Sequence, residues 1–289
     1  MADSAPSISV VLPTVSTWPA IETTLDSLVE QVAAVDGEVI VLDGRGRALA
    51  GEPAPPVRWE RVDLVDAFEI RAAGFGAARG GIIAIGEDHV VFDPDWCTQV
   101  LTALAERPDA DGVVGGVANA TDGVLDRASF WITLGPWADP IARLTPDRSP
   151  IPGNVVLRRS VCDGLADAPG RFEYTLLPTL LGEGRLAVNP GQRSSHDQSL
   201  GPRSTFGVHF ASGRAWGAAT ERPGRWERLR TAARTPRVIV RQTHEFLAER
   251  EVRETRGFWC LVGALACMHA AGPVAGTLCG PGAARRRIV

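Results

Sequence analysis

The chain has 289 residues, 45% hydrophobic and 22% charged, enough to bury a full core as one large domain or as two smaller ones sharing a sheet. Its net charge of −4 and pI near 5.8 argue against a nucleic-acid partner. The five cysteines show no Cys-x-x-Cys spacing, which excludes a zinc knuckle, and three of them sit in one apolar segment where a thiol behaves as a small hydrophobe.

The N-terminal MADSAPS has neither a basic run nor an apolar stretch to direct export, so the expected location is the cytoplasm. Ser7 to Leu12 is a β-rich run, ended by Pro13 and Thr14. Ile21, Leu25, Leu28, Val29 and Val32 then recur at helical spacing, with Gly37 beyond the last turn. Glu38 to Leu42 forms a second strand, closed by Asp43-Gly44. Residues 62–79 are mostly helical in character, and Gly80-Gly81 separates them from a third strand, Ile82 to Ile85. That strand runs into three ionisable side chains, Glu87-Asp88-His89. Asp93-Pro94-Asp95 then opens a helix to about Glu106.

Alternating strands and helices predict an open, mostly parallel sheet flanked by helices. Ligands of such sheets bind beyond the carboxyl ends of the strands, where Pro13-Thr14, Asp43-Gly44 and Glu87-Asp88-His89 all fall. Further on, Asp111 to Val117, Gly153 to Arg159 and Arg185 to Asn189 read as strands, and Phe172 to Leu181 as a helix interrupted by Pro178. The glycines of Gly74-Phe75-Gly76 imitate a dinucleotide fingerprint but precede a strand instead of following one, which excludes a nicotinamide oxidoreductase.

Taken in order, ISVVLPT, GEVIVLDG, IRAAGFGAARGGIIAIGEDHVVFDPDW, GNVVLRRS, FEYTLL and LAVNPGQRSSH resemble the family 2 glycosyltransferases over roughly residues 7–200. The resemblance implies a GT-A-like, Rossmann-like α/β fold, with a nucleotide half over 1–115 and an acceptor half over 116–202. It implies an inverting transfer from a UDP-, GDP- or dTDP-sugar to a glycan or lipid-linked acceptor. Glu87-Asp88-His89 then replaces the family's Asp-x-Asp and, with His196, holds Mn²⁺ or Mg²⁺ on the diphosphate.

By the same resemblance Pro13, Thr14, Asp43 and Arg71 seat the nucleotide, together with Glu87 and Asp88. Glu173 removes the acceptor's proton, and Gly153 and Asn154 line the acceptor side, while Trp131, as an aromatic, is expected to stack on a sugar face there. Hard oxygen ligands with imidazole suit such a cation on chemical grounds alone. The sequence departs from the family at His89, at Ala72 in place of Asn and at Tyr174 in place of Asp, which motivates a rival reading as an inactive relative that only binds a nucleotide sugar, glycan or partner.

The chain ends basic: residues 203–256 hold 12 Arg against 6 Glu. Residues 257–279 carry no formal charge but contain His269 and Pro273. This tail reads either as short helices packed on the domain or as a membrane-seated segment, and the flanking arginines favour peripheral attachment to an anionic membrane surface at the inner face of the cell membrane.

Overall fold

The computed structural model describes residues 5–14, 18–44, 55–64, 66–141, 154–197, 199–219 and 225–284. The chain divides into two compact units, Met1–Ala118 with Asp139–His196 and Asn119–Ala138 with Asp197–Val289. Residues 119–138 group with the C-terminal region.

Unit 1 is built on an eight-stranded sheet of order β3-β2-β1-β4-β7-β6-β8-β5. Its strands are β1 (Ile8–Thr14), β2 (Glu38–Asp43), β3 (Val57–Arg61), β4 (Ile82–Ile85), β5 (Val90–Phe92), β6 (Gly112–Asn119), β7 (Val155–Arg158) and β8 (Leu186–His196). β1, β2, β3 and β4 run parallel, whereas β4 with β7, β6 with β7 and β5 with β8 are antiparallel. The sheet is therefore mixed, parallel across β3-β2-β1-β4 and antiparallel at β4-β7, β7-β6 and β8-β5, where a mostly parallel one was expected.

The helices α1 (Trp18–Ala33), α2 (Ala67–Ala77) and α3 (Trp96–Glu106) pack on this sheet. Ile21, Leu25, Leu28 and Val32 of α1 and Trp96, Cys97, Val100 and Leu104 of α3 are buried in one cluster with Val10, Leu12, Val39 and Val41. Strands covered on both faces need continuous apolar runs, and Glu38–Asp43 is buried at every residue. Gly74 lets α2 lie close on β1, since a Cβ there would meet Val11 Cγ1 at 2.3 Å. That close approach sets the height of the neighbouring turn of α2, which carries Arg71.

The order β3-β2-β1-β4 reverses direction between β1 and β4, so the crevice beyond the carboxyl ends of these two strands is the topological switch point.

Unit 2 is helical: α4 (Val124–Thr133), α6 (Pro202–Ala219), α7 (Arg225–Glu249) and α8 (Arg256–Cys279), while α5 (Leu177–Gly182) belongs to unit 1. The uncharged tail is a single 24-residue helix with Pro273 inside it, not a pair of short ones. It meets α6 backbone to backbone, because a Cβ at Gly272 or Gly276 would lie 2.4 Å from Phe210 O or 2.3 Å from Arg214 O. Gly213 and Gly217 do the same from α6 against His269 and Pro273.

Candidate active site

β4 ends at Ile85, and Gly86 to His89 make a tight turn into β5, closed by Val90 N–H donating to the Glu87 carbonyl at 3.3 Å. β5 pairs antiparallel with the end of β8 in the register Val90 to His196. This pairing brings His196 beside the turn 109 residues away: its Nε2 lies 2.8 Å from Glu87 Oε2. His196 is a buried strand residue, 3% exposed, and the His89 and His196 rings meet edge to face with centroids 4.5 Å apart. The strand was expected to stop near Asn189; it continues through Pro190-Gly191, and that continuation is what delivers the imidazole.

Glu87, His89 and His196 each offer one ligand atom, and all three atoms lie within 4.8 Å of one another. This is a group that can hold a metal ion. Two imidazoles and one carboxylate form a donor set softer than an all-oxygen cage, so it suits Mn²⁺ better than Mg²⁺.

Asp88 is not part of that group. Its carboxylate is buried and accepts the Thr14 hydroxyl at 2.6 Å across the switch point, while its other oxygen faces His89 Nδ1 at 2.9 Å. A carboxylate on Nδ1 holds the imidazole proton there and leaves Nε2 of the neutral ring with its lone pair, 3.7 Å from Glu87 Oε2. Asp88 thus orients the imidazole of His89 and stands outside the three-residue group.

Burial works against a charge on Glu87. The hydrogen bond and charge of His196, followed by the charges of His89 and Arg71, outweigh it and hold the carboxyl down at about 2.

Arg71 lies on the same α2 face as Phe68 and Phe75. Phe68 packs on Tyr174 with ring centroids 5.3 Å apart and Phe75 on Phe172 at 5.1 Å. The two aromatic pairs bracket Glu173, which sits in a single π-helical turn, Phe172–Leu176, ahead of α5. Such wide turns often occur at functional sites. Arg71 Nη1 reaches Glu173 Oε1 at 3.2 Å and its Nη2 reaches Glu87 Oε1 at 3.4 Å, all three side chains being 15% exposed or less. One guanidinium therefore joins the two acids. Burial raises the Glu173 pKa above its ordinary value, with Arg71 pulling it back and the charge of Asp66 adding to the rise. Asp66 also caps α2 by accepting Phe68 N–H at 2.9 Å.

The remaining expected residues fall as follows. Asp43 is buried at the end of β2, in register with Thr14 on one side and Arg61 on the other, and Pro13 pairs with Leu42. Gly153 lies outside the described residues. Asn154 is committed to structure: its Nδ2 donates to Gly116 O at 2.7 Å, and its Oδ1 accepts from Gln192 at 3.2 Å and from Trp96 at 3.4 Å. Trp131 is buried in unit 2 against Phe130, with the Arg250 guanidinium 5.9 Å from its ring, so neither residue offers the sugar-facing surface expected of it. Asp66 was the residue that sequence reasoning missed; the signal was Asp66 followed three places on by Glu69, the pattern of a capped helix start.

No family model matches the chain, and no curated protein matches it. Among solved structures it is similar to the mannosyltransferase PcManGT from Pyrobaculum calidifontis in complex with GDP-Man and Mn²⁺, with a TM-score of 0.47 and 17% identity over 96% of this chain and 75% of that one. A likeness that loose carries no weight for activity, which must come from the residues themselves.

Proposed function

We propose that unit 1 is a metal-assisted glycosyltransferase domain of the GT-A type, taking a sugar from a nucleotide-sugar donor to a hydroxyl of a glycan or lipid-linked acceptor with inversion. The observation that carries this reading is the line of groups at the switch point: the Glu87, His89 and His196 donors, then Arg71, then Glu173. A cation site beside a buried guanidinium fits a diphosphate, and a buried acid of raised pKa beyond it fits the removal of a hydroxyl proton.

In this reading Glu87, His89 and His196 hold Mn²⁺, with Asp88 and Thr14 fixing the imidazole of His89. A bound divalent cation would neutralise the charge that builds on the departing diphosphate. Asp43, at the neighbouring strand end, would accept an N–H of the base, and Arg71 would bond a phosphate oxygen. Once Arg71 turns toward phosphate, Glu173 loses its ion pair and can take the acceptor proton as the new glycosidic bond forms and the bond to the diphosphate breaks.

A second reading rests on the same contact. With Arg71 on Glu173 the acid is neutralised, as suits a relative that binds a nucleotide sugar without turning it over. Release of nucleoside diphosphate from UDP-, GDP- and dTDP-sugars with Mn²⁺ separates the two. The enzyme reading expects turnover with one nucleotide class, abolished in Glu173→Gln and in His196→Ala. Saturable binding of a donor with no release on any acceptor class would leave only the binding role.

A further inference from the structure

Unit 2 carries a face that its own helices leave uncovered. On α8, Phe258, Val262, Leu265, Ala266, Ala270, Gly272, Pro273 and Gly276 are buried, while Cys260, Ala264, Cys267, Ala271 and Leu278 point outward. Their spacing of four, three, four and seven residues places them on one side of the helix, a stripe without a charge. Only 39% of the most apolar 18-residue stretch of α8 is buried.

On α7, Arg230, Arg234, Arg237 and Arg241 recur at i, i+4, i+7 and i+11, and no acid stands between Arg230 and His244. All four are exposed, and Glu245 approaches Arg241 at 3.6 Å. The two faces adjoin: Arg237 and Arg241 of α7 and Trp259, Gly263 and Cys267 of α8 line one open groove of about 590 Å³. Its wall is almost wholly apolar, so the arginines contribute their methylene stems and keep the guanidinium groups outside. Trp226, at the start of α7, is 76% exposed, and Val238 is exposed beside the arginines.

We propose that unit 2 seats on an anionic lipid bilayer through this joined face of α7 and α8, lying in the membrane interface without crossing it. Charge complementarity selects the occupant: an uncharged stripe and a groove lined in part by Arg237 and Arg241, with Arg230 and Arg234 exposed further along the same helix, fit acyl chains beneath anionic headgroups, and an exposed Trp is the side chain that settles at that depth. Crossing is disfavoured because α8 would have to leave α6, to which Gly272 and Gly276 hold it at backbone contact. The seat stands on unit 2 alone and does not depend on the proposed activity.

The test is flotation of the full chain with vesicles of phosphatidylcholine, with and without phosphatidylglycerol. Binding is expected only with the anionic lipid, lost on raising salt and released by alkaline carbonate. Arg234→Gln with Arg237→Gln is expected to weaken it about twenty-fivefold, about fivefold for each arginine withdrawn. Ala264→Asp, exposed on the stripe, is expected to weaken it while the thermal melt stays that of the parent. Salt-insensitive binding to neutral vesicles that resists carbonate would mean that α8 spans and would overturn the interfacial seat. A failure to float with either vesicle, together with a concentration-dependent dimer broken by Ala264→Asp, would assign the face to a second copy of the chain and overturn it too.

Discussion

Arg71→Met keeps the side-chain stem and removes a cation that Glu87 and Glu173 share. Both acids lie within 3.4 Å of its guanidinium and the three groups are nearly buried, so the variant strands negative charge in a poorly solvated place. Breaking a buried pair from one side typically costs 3–5 kcal/mol. Glu87 keeps its bond to His196, and Glu173, whose pKa is already raised by burial, can escape by taking a proton. Both reliefs put the expected loss at the lower end, about 3 kcal/mol. The assay is urea unfolding at neutral pH in chelator. The double variant Arg71→Met with Glu173→Gln removes one stranded acid and should recover about 1–2 kcal/mol, a coupling that independent sites would not show. A loss within about 0.5 kcal/mol for Arg71→Met, or losses that simply add in the double variant, would refute the shared-cation reasoning.

Other consequences follow from the same contacts. Glu87 falls from 4.5 to about 2 on folding; a depressed acid stabilises the fold above its unfolded value, so about 3 kcal/mol should be lost as pH drops from 4.5 through 2, and Glu87→Gln should flatten that limb of metal-free denaturation curves. If Glu173 is the base, the acid limb of kcat/KM lies above the ordinary glutamate value of 4.5, and Glu173→Gln should lower kcat by at least about a hundredfold while donor affinity changes little. Gly276→Val should cost about 3 kcal/mol or more in unfolding experiments, since its Cβ would already lie 2.3 Å from the Arg214 carbonyl oxygen and neither backbone can give way.

Local patterns in the sequence were enough to place β1, β2 and β4 on the parallel side of the sheet. The runs at β1, β2 and β4 are apolar because both their faces are covered, and each ends in polar residues at the crevice. β3 was missed because Val57–Arg61 alternates charge with bulk and is only half buried at an edge of the sheet. β5 has three residues, too few for a pattern, yet its pairing with β8 decides where His196 lies.

The cluster of Glu87, His89 and His196 was legible as candidate ligands, but Asp88 was not separable from them. Adjacent side chains leave a turn in different directions, and it takes the contacts with Thr14 and His89 Nδ1 to show which way Asp88 faces. Nor was the link between Arg71 and Glu173 readable: 102 residues separate them, and it depends on aromatic pairs on either side of each residue. Asn154 and Trp131 looked like ligand contacts because their chemistry suits sugars, whereas both are used inside their own units.

The central claim is that the turn after β4 and the end of β8 hold one divalent cation that recruits a nucleoside diphosphate. Titration of Mn²⁺ into the full chain, following the electron paramagnetic resonance of the free ion with and without UDP, GDP and dTDP, tests it directly. One bound Mn²⁺ per chain is expected, tightened by one of the three diphosphates and weakened at least about tenfold in His196→Ala. Equal binding by the parent and His196→Ala, or a site indifferent to all three diphosphates, would contradict the account.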